Sequence, residues 1–206
     1  MTERYQARLR AGREADILLV AEDHLATKGC PRFSVDEIAV ELIIARATVY
    51  RHFPHRTALL QRVVEAATAR ARSHLEDRLR SRADADGLAG LADYARTTIE
   101  LAEHHLATTG RRQLSYPCCL AYAECPFQAQ DPLRPLIAAA LEQARSDGRL
   151  SGTWWDSTAL AGLIRTILAD LFRRAHTVPA SQLSAEIELG TQVLRRVLNS
   201  QPATGP

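Results

Sequence analysis

Apolar residues recur at helical spacing along most of the chain. Ile17, Leu18, Ala21 and Leu25 mark a first helix from about Arg10 to Lys28, with Gly29 supplying a left-handed stop and Pro31 two residues beyond. Ser34-Val35-Asp36-Glu37 has the form of a capping box, in which the serine hydroxyl accepts from the amide of residue 37 and Glu37 reaches back to the amide of residue 34. The helix it opens is short and turns Val35, Ile38, Ala39 and Leu42 inward. A third segment, Arg46 to Phe53, is ended by Pro54, and His55-Arg56-Thr57 opens a longer helix through Leu59, Leu60, Val63 and Val64 towards Arg80.

Ser81 to Gly87 is polar and interrupts the pattern. Beyond it the periodicity predicts helices over Leu88 to Leu106, Leu133 to Ser146, Asp156 to His176 and Ser184 to Leu198. Gln113 to Asp131 is irregular, with Pro117 and Pro126 inside it, and Gln201 to Pro206 is a short polar tail. Strand alternation and Asn-Gly or Asp-Gly turns are scarce, so the fold class expected is all-α.

Composition narrows the class further. The chain has 206 residues, 46% hydrophobic, with 26 Lys+Arg against 24 Asp+Glu. That is enough apolar material for a real core, and a charge balance that excludes binding through bulk charge; a nucleic-acid footprint must be a local patch. MTERYQARLR has no apolar h-region, and no uncharged run reaches the ~18 residues of a membrane span, so a cytoplasmic protein with no membrane partner is expected. Four cysteines at uneven spacing read as a reducing compartment rather than a disulfide scaffold.

Two short helices separated by a few residues, after a longer one, are the material of a helix-turn-helix, whose second helix enters the major groove. Between Leu42 and Val64 there is no acidic residue, whereas Arg46, Arg51, Arg56 and Arg62 are present with His52 and His55 between them. This is the local patch that the overall balance requires; a solvated arginine face on a helical bundle is the plainer alternative. Residues 15–65 carry more: Ile17-Leu18, Ala21, Leu25, Gly29 and Ser34-Val35-x-x-Ile38-Ala39, then Ala47-Thr48-Val49-Tyr50-Arg51-His52-Phe53, Arg56 and Leu59. This string resembles the DNA-binding domain of the TetR family of bacterial transcriptional regulators.

The resemblance implies an N-terminal arm and three-helix DNA-binding domain over residues 1–56, then a larger helical effector-binding and dimerisation domain over 57–206. Arg46, Thr48 and Arg51 would face base edges, and arginine on guanine O6/N7 is the commonest specific pairing. Ser34, Tyr50, His52 and Arg56 would meet phosphates. Arg4, Arg8, Arg10 and Arg13 form either a flexible arm along the DNA backbone or a solvated tail. Partners implied are a double-stranded DNA operator, an unidentified small-molecule effector and a second copy joined through the two C-terminal helices. The function expected is a homodimeric repressor released from a palindromic operator by a small molecule, with no enzymatic activity and no cofactor.

The turn departs from the family. Where members have a small residue, Gly, an apolar residue and Ser, this chain has Leu42, Ile43, Ile44 and Ala45. A β-branched residue in the left-handed region is disfavoured by roughly 1–2 kcal/mol, and an N-cap serine replaced by alanine loses about 1 kcal/mol. Either the backbone takes another path, or the recognition helix is held mainly by its core residues.

The effector contacts expected in the middle of the chain are His104, His105, Tyr116, Cys119, Tyr122 and Phe127, which place polar tips and aromatic faces around the irregular segment. No metal site is expected. Cys118 and Cys125, if helical, lie about 10 Å apart along the axis, beyond the ~7 Å that a disulfide tolerates, so a thiol or metal sensor needs an unwound segment. An enzyme pairing Cys119 with His104 or His105 is a second alternative that no nucleophile motif supports, and an interaction module of the same fold with a decayed DNA-binding unit, suggested by the odd turn, is a third.

Overall fold

The computed structural model describes residues 2–82, 87–114, 133–152, 155–175 and 177–200. Eight helices are found there, and no strand among the described residues: α1 (Thr2–Lys28), α2 (Val35–Glu41), α3 (Arg46–His52), α4 (Arg56–Ser81), α5 (Gly87–Thr109), α6 (Leu133–Ser146), α7 (Ser157–Arg174) and α8 (Ala180–Asn199). The chain divides into two compact units, Met1–Thr68 with His105–Ala129, and Ala69–His104 with Gln130–Pro206. The helices α4 and α5 each contribute residues to both units. The all-α class is as expected.

In the first unit the apolar stripes converge on one core. Ile17, Val20, Ala21 and Leu25 of α1 meet Val35, Ile38 and Ala39 of α2, Val49 of α3, and Leu59, Leu60, Val63 and Val64 of α4. The stops are the local ones that the chain spells out. Gly29 takes φ 73° and its amide donates to the Leu25 carbonyl at 3.0 Å. Phe53, ahead of Pro54, is extended at φ −129° and ψ 102°. The His55 Nδ1 accepts from the Ala58 amide at 3.0 Å and so caps α4.

Two expectations need correction, and the alternative at the turn is resolved. The N-terminal arginines stand on helix from Thr2 onward, so the segment is not a flexible arm; its Gln, Arg, Ala and Leu are good helix formers even without an apolar stripe. The capping box is half made: the Ser34 hydroxyl accepts from the Glu37 amide at 3.4 Å, but the Glu37 carboxylate accepts from Lys28 Nζ at 2.8 Å instead. The turn keeps the backbone path of a glycine. Ile43 sits at φ 54°, its amide donates to Val40 and the Ile44 amide to Ala39, each at 3.0 Å, which is a Schellman closure of α2. Ala45 offers no side-chain cap to α3. Ile43 is 92% exposed, whereas Leu42 and Ile44 pack on the core, so core contacts hold the strained turn in place.

The second unit buries Leu88, Leu91, Tyr94, Ala95 and Ile99 of α5, Ile137 and Leu141 of α6, Ile164, Leu168 and Phe172 of α7, and Leu183 and Ile187 of α8. Trp155 closes one end: its Nε1 donates to the Leu198 carbonyl at 3.4 Å and the Arg145 guanidinium lies 4.9 Å above its ring. Gly152 passes so close to the Leu198 carbonyl that no β-carbon fits there. Inside this unit His74 is set between two threonines, Nε2 at 2.9 Å from Thr97 Oγ1 and Nδ1 at 3.1 Å from Thr98 Oγ1. An open groove of about 630 Å³ runs along α5, α7 and α8, lined by Leu88, Leu91, Ile167, Leu171, Leu189 and Val193 among others.

Candidate nucleic-acid interface

The interface is built on α3, a helix of seven residues with Val49 buried and Arg46, Ala47 and Arg51 exposed. Thr48 and Tyr50 are half-buried on its flanks. Arg46 carries three intramolecular contacts: its Nε lies 3.0 Å from Asp36 Oδ1, one Nη donates to the Tyr50 hydroxyl at 3.2 Å, and its carbon sits 5.3 Å from the Tyr50 ring centroid. Asp36 stands in the first turn of α2, where an acid also complements the helix dipole.

The expected phosphate-side residues have structural partners as well. Ser34 is the N-cap of α2. Arg56 donates Nε to the Phe33 carbonyl at 3.0 Å and an Nη to the Cys30 carbonyl, with its guanidinium 5.7 Å from the Phe33 ring. It therefore fastens the start of α4 to the loop between α1 and α2. His52 is half-buried, and its Nδ1 has no hydrogen-bond partner among the described residues. Burial first, and then Arg10, lower the His52 pKa below the ordinary histidine value, with Arg51 and Arg13 adding to the effect and Glu14 opposing it. The charges of Arg10 and Arg13 of α1 thus act on the end of α3.

A polar brace in this unit escaped the sequence reading. The Arg111 guanidinium bridges Asp23 and Glu41, the Arg112 amide donates to Asp23 at 2.7 Å and the Leu114 amide to the buried Glu22 at 2.9 Å. His24, 6% exposed, donates Nε2 to Glu41 at 2.7 Å. Burial pushes the Glu41 carboxyl up, but Arg111 and His24 together bring it below its ordinary value. The partners of Arg111, Arg112 and Leu114 are about 70–90 positions away, so no periodicity announces them; the buried carboxylate of Glu22 is a signal visible only in the fold.

Of the expected effector contacts, His104 is exposed and His105 half-buried, and neither lines the groove along α5, α7 and α8. Tyr116, Cys119, Tyr122 and Phe127 lie outside the described residues, as do Cys118 and Cys125. No group of metal-ligating side chains occurs among the described residues, and no described helix is long and apolar enough to cross a membrane.

A short, basic, exposed helix packed by its apolar face on two others defines a helix-turn-helix nucleic-acid-binding unit. Residues 17–63 match the family model of the bacterial regulatory proteins of the tetR family. The fold is similar to that of a Rhodococcus sp. protein described as a TetR-family transcriptional regulator, with TM-score 0.67 and 21% identity over 92% of this chain and 100% of that one. It is also similar to the TetR-family regulator CifR, solved as a cysteine mutant with 26-base-pair double-strand operator DNA: TM-score 0.62, 18% identity, 86% of this chain and 94% of that one. A third similar structure is a gamma-butyrolactone receptor, an ArpA-like protein, with TM-score 0.59, 21% identity, and 88% and 99% coverage. No curated protein matches the chain in sequence. Residues 17–63 thus carry the N-terminal signature of the tetR family, and the described helices share the fold of solved TetR-family regulators.

Proposed function

We propose that the protein is a homodimeric repressor that holds a palindromic operator through α3 and releases it when a small molecule binds. DNA binding is assigned to residues 1–56, and effector binding and dimerisation to residues 57–206. The observation that carries the reading is the exposed arginine pair of α3, Arg46 and Arg51, in a stretch with no acid from Leu42 to Val64. Arg46, Thr48 and Arg51 face base edges in this reading, and Ser34, Tyr50, His52 and Arg56 lie towards the backbone. A structure of similar fold was solved on operator DNA, which supports the same use here.

Dimerisation is proposed through α7 and α8. Leu163 and Ile167 on α7, and Leu189, Val193 and Val197 on α8, are exposed at four-residue spacing, and Ile167, Leu189 and Val193 line the open groove. Ridges at that spacing pack into one another under a two-fold axis, and two recognition helices one DNA turn apart then meet a palindrome. The effector site is assigned to the central segment that includes His104 and His105; a similar structure is that of a gamma-butyrolactone receptor, consistent with a small-molecule ligand. Such a ligand acts by favouring a state whose α3 spacing does not fit DNA. The protein works in the cytoplasm, where its DNA is.

The test is affinity for duplexes from the DNA upstream of its own gene, against shuffled duplexes at one salt concentration. The upstream DNA is expected to bind at least about a thousand-fold tighter, and Arg46→Ala with Arg51→Ala brings the two affinities together. Equal affinity of the unaltered protein for both duplexes sinks the reading.

A further inference from the structure

Arginine presents its five N–H groups along distinct edges of a rigid plane. Nε–H and one Nη2–H share the side edge; the other Nη2–H and one Nη1–H share the end edge. In Arg46 Nε forms an ion pair with Asp36 Oδ1 at 3.0 Å, Nη2 donates to the Tyr50 hydroxyl at 3.2 Å, and the ring of Tyr50 supports the plane. Nη1 carries no contact among the described residues. An Nη1–H with the second Nη2–H forms the pair of parallel donors required by guanine O6 and N7 in the major groove.

Stability does not account for the arrangement. Both partners are 60% exposed, and an ion pair so open contributes little to folding. The dipole of α2 favours an acid at position 36 but does not require that it hold Arg46. Beside phosphates, moreover, a carboxylate weakens binding to any DNA sequence.

We propose that Asp36 is a positioning residue for sequence reading: through its ion pair, and together with Tyr50, it holds the guanidinium of Arg46 in place, so that Nη1 and Nη2 read the guanine of a G·C pair. The inference rests on the DNA-reading role of α3. Asp36 gives up general affinity for DNA in return for selectivity at one base pair, and Tyr50 acts as the second support of the same arginine.

The experiment is selection of binding sites from a randomised duplex library, with the full chain, at one salt concentration. The unaltered protein is expected to enrich a two-fold symmetric sequence with a fixed guanine in each half. Arg46→Ala removes the preference at that pair. Asp36→Ala weakens it by about ten-fold at the same pair while random duplex binds several-fold tighter; Asp36→Glu, which keeps the carboxylate, retains most of it. An Asp36→Ala protein that selects the same guanine as strongly overturns the inference and leaves the DNA-reading role standing. So does one that loses preference at every position together with its melting temperature, since that marks a structural role. Enrichment of no sequence by the unaltered protein overturns both.

Discussion

Around α3 the first compact unit shows water Arg46 and Arg51, whereas α7 and α8 of the second show it Leu163, Ile167, Leu189, Val193 and Val197. The two surfaces are satisfied by different things. Arginines are already at ease in water and gain from anions, so what they bind is salt-sensitive. An aliphatic stripe gains by leaving water, at about 25 cal/mol per Å² of apolar surface removed, and is nearly indifferent to salt. In the proposed reading one chain carries two separable kinds of association, and substitutions on one surface should spare the other at the level of folding.

The largest expected effect comes from charging the aliphatic stripe. Leu189→Glu with Val193→Glu is expected to convert a dimer to a monomer, weakening association by at least about 100-fold through lost apolar burial and like-charge contact across the axis. Light scattering on a sizing column reads the mass, and circular dichroism should show the helices intact because both positions are exposed. A protein that is monomeric before substitution removes the dimer from the proposal and leaves the arginine surface untouched.

The next effect contrasts two arginines of the same unit. Arg46 keeps one edge open, whereas Arg56 has its guanidinium on the carbonyls of Phe33 and Cys30 and against the Phe33 ring. Arg56→Lys keeps the charge but loses the fork, and is expected to destabilise the protein by about 1–2 kcal/mol in chemical denaturation. The same exchange at Arg46 should leave stability within about 0.5 kcal/mol and act on sequence preference alone. Equal stability losses at the two sites would erase the distinction.

That contrast also marks what the amino-acid pattern discloses. Gly29, Ser34 and Pro54 act within a few residues of themselves, and the ends of α1, α2 and α3 follow from them. The core stripe Ile17, Ala21, Leu25 and the inward Val35, Ile38 and Val49 follow from helical period in the same way. Partners at a distance do not. Arg56 reads as one more basic residue near DNA until the carbonyls of Phe33 and Cys30 are seen beside it. Asp36 reads as a helix-dipole acid, and the α5-end brace of Arg111 to Glu41 and Asp23 has no local mark at all. The first turns of α1 escaped for the opposite reason: they are helical without an apolar face to give them a period.

The strained turn gives a smaller and oppositely signed effect. Ile43 occupies φ 54° with 92% of its surface exposed, so its side chain returns little packing for the conformation it holds. Ile43→Gly is expected to raise stability by about 0.5–1 kcal/mol, the strain relieved being partly offset by glycine's greater freedom in the unfolded chain. Denaturant midpoints measure it. A loss of stability instead means that the exposed isoleucine packs on something in solution.

The smallest effect belongs to the second unit and depends on pH. The Thr97 hydroxyl donates to the Asp93 carbonyl at 2.8 Å, so towards His74 it accepts, and the ring proton sits on Nε2. Nδ1 then accepts a hydrogen bond from the Thr98 hydroxyl. Burial, followed by Arg78, holds the His74 pKa below its ordinary value against the opposing pull of Asp77 and Asp93. The unfolded chain binds this proton at higher pH than the folded one, so stability rises with pH across that interval. The contribution is complete above about pH 6.5, the ordinary histidine value, and is lost as pH falls through the lower folded value. His52 titrates in the same sense, so the difference between the unaltered protein and His74→Gln isolates the site. Its unfolding free energy, followed from pH 8 to 5, should fall less steeply than that of the unaltered protein. Parallel curves would mean that the threonine pair accommodates the charged ring as well as the neutral one.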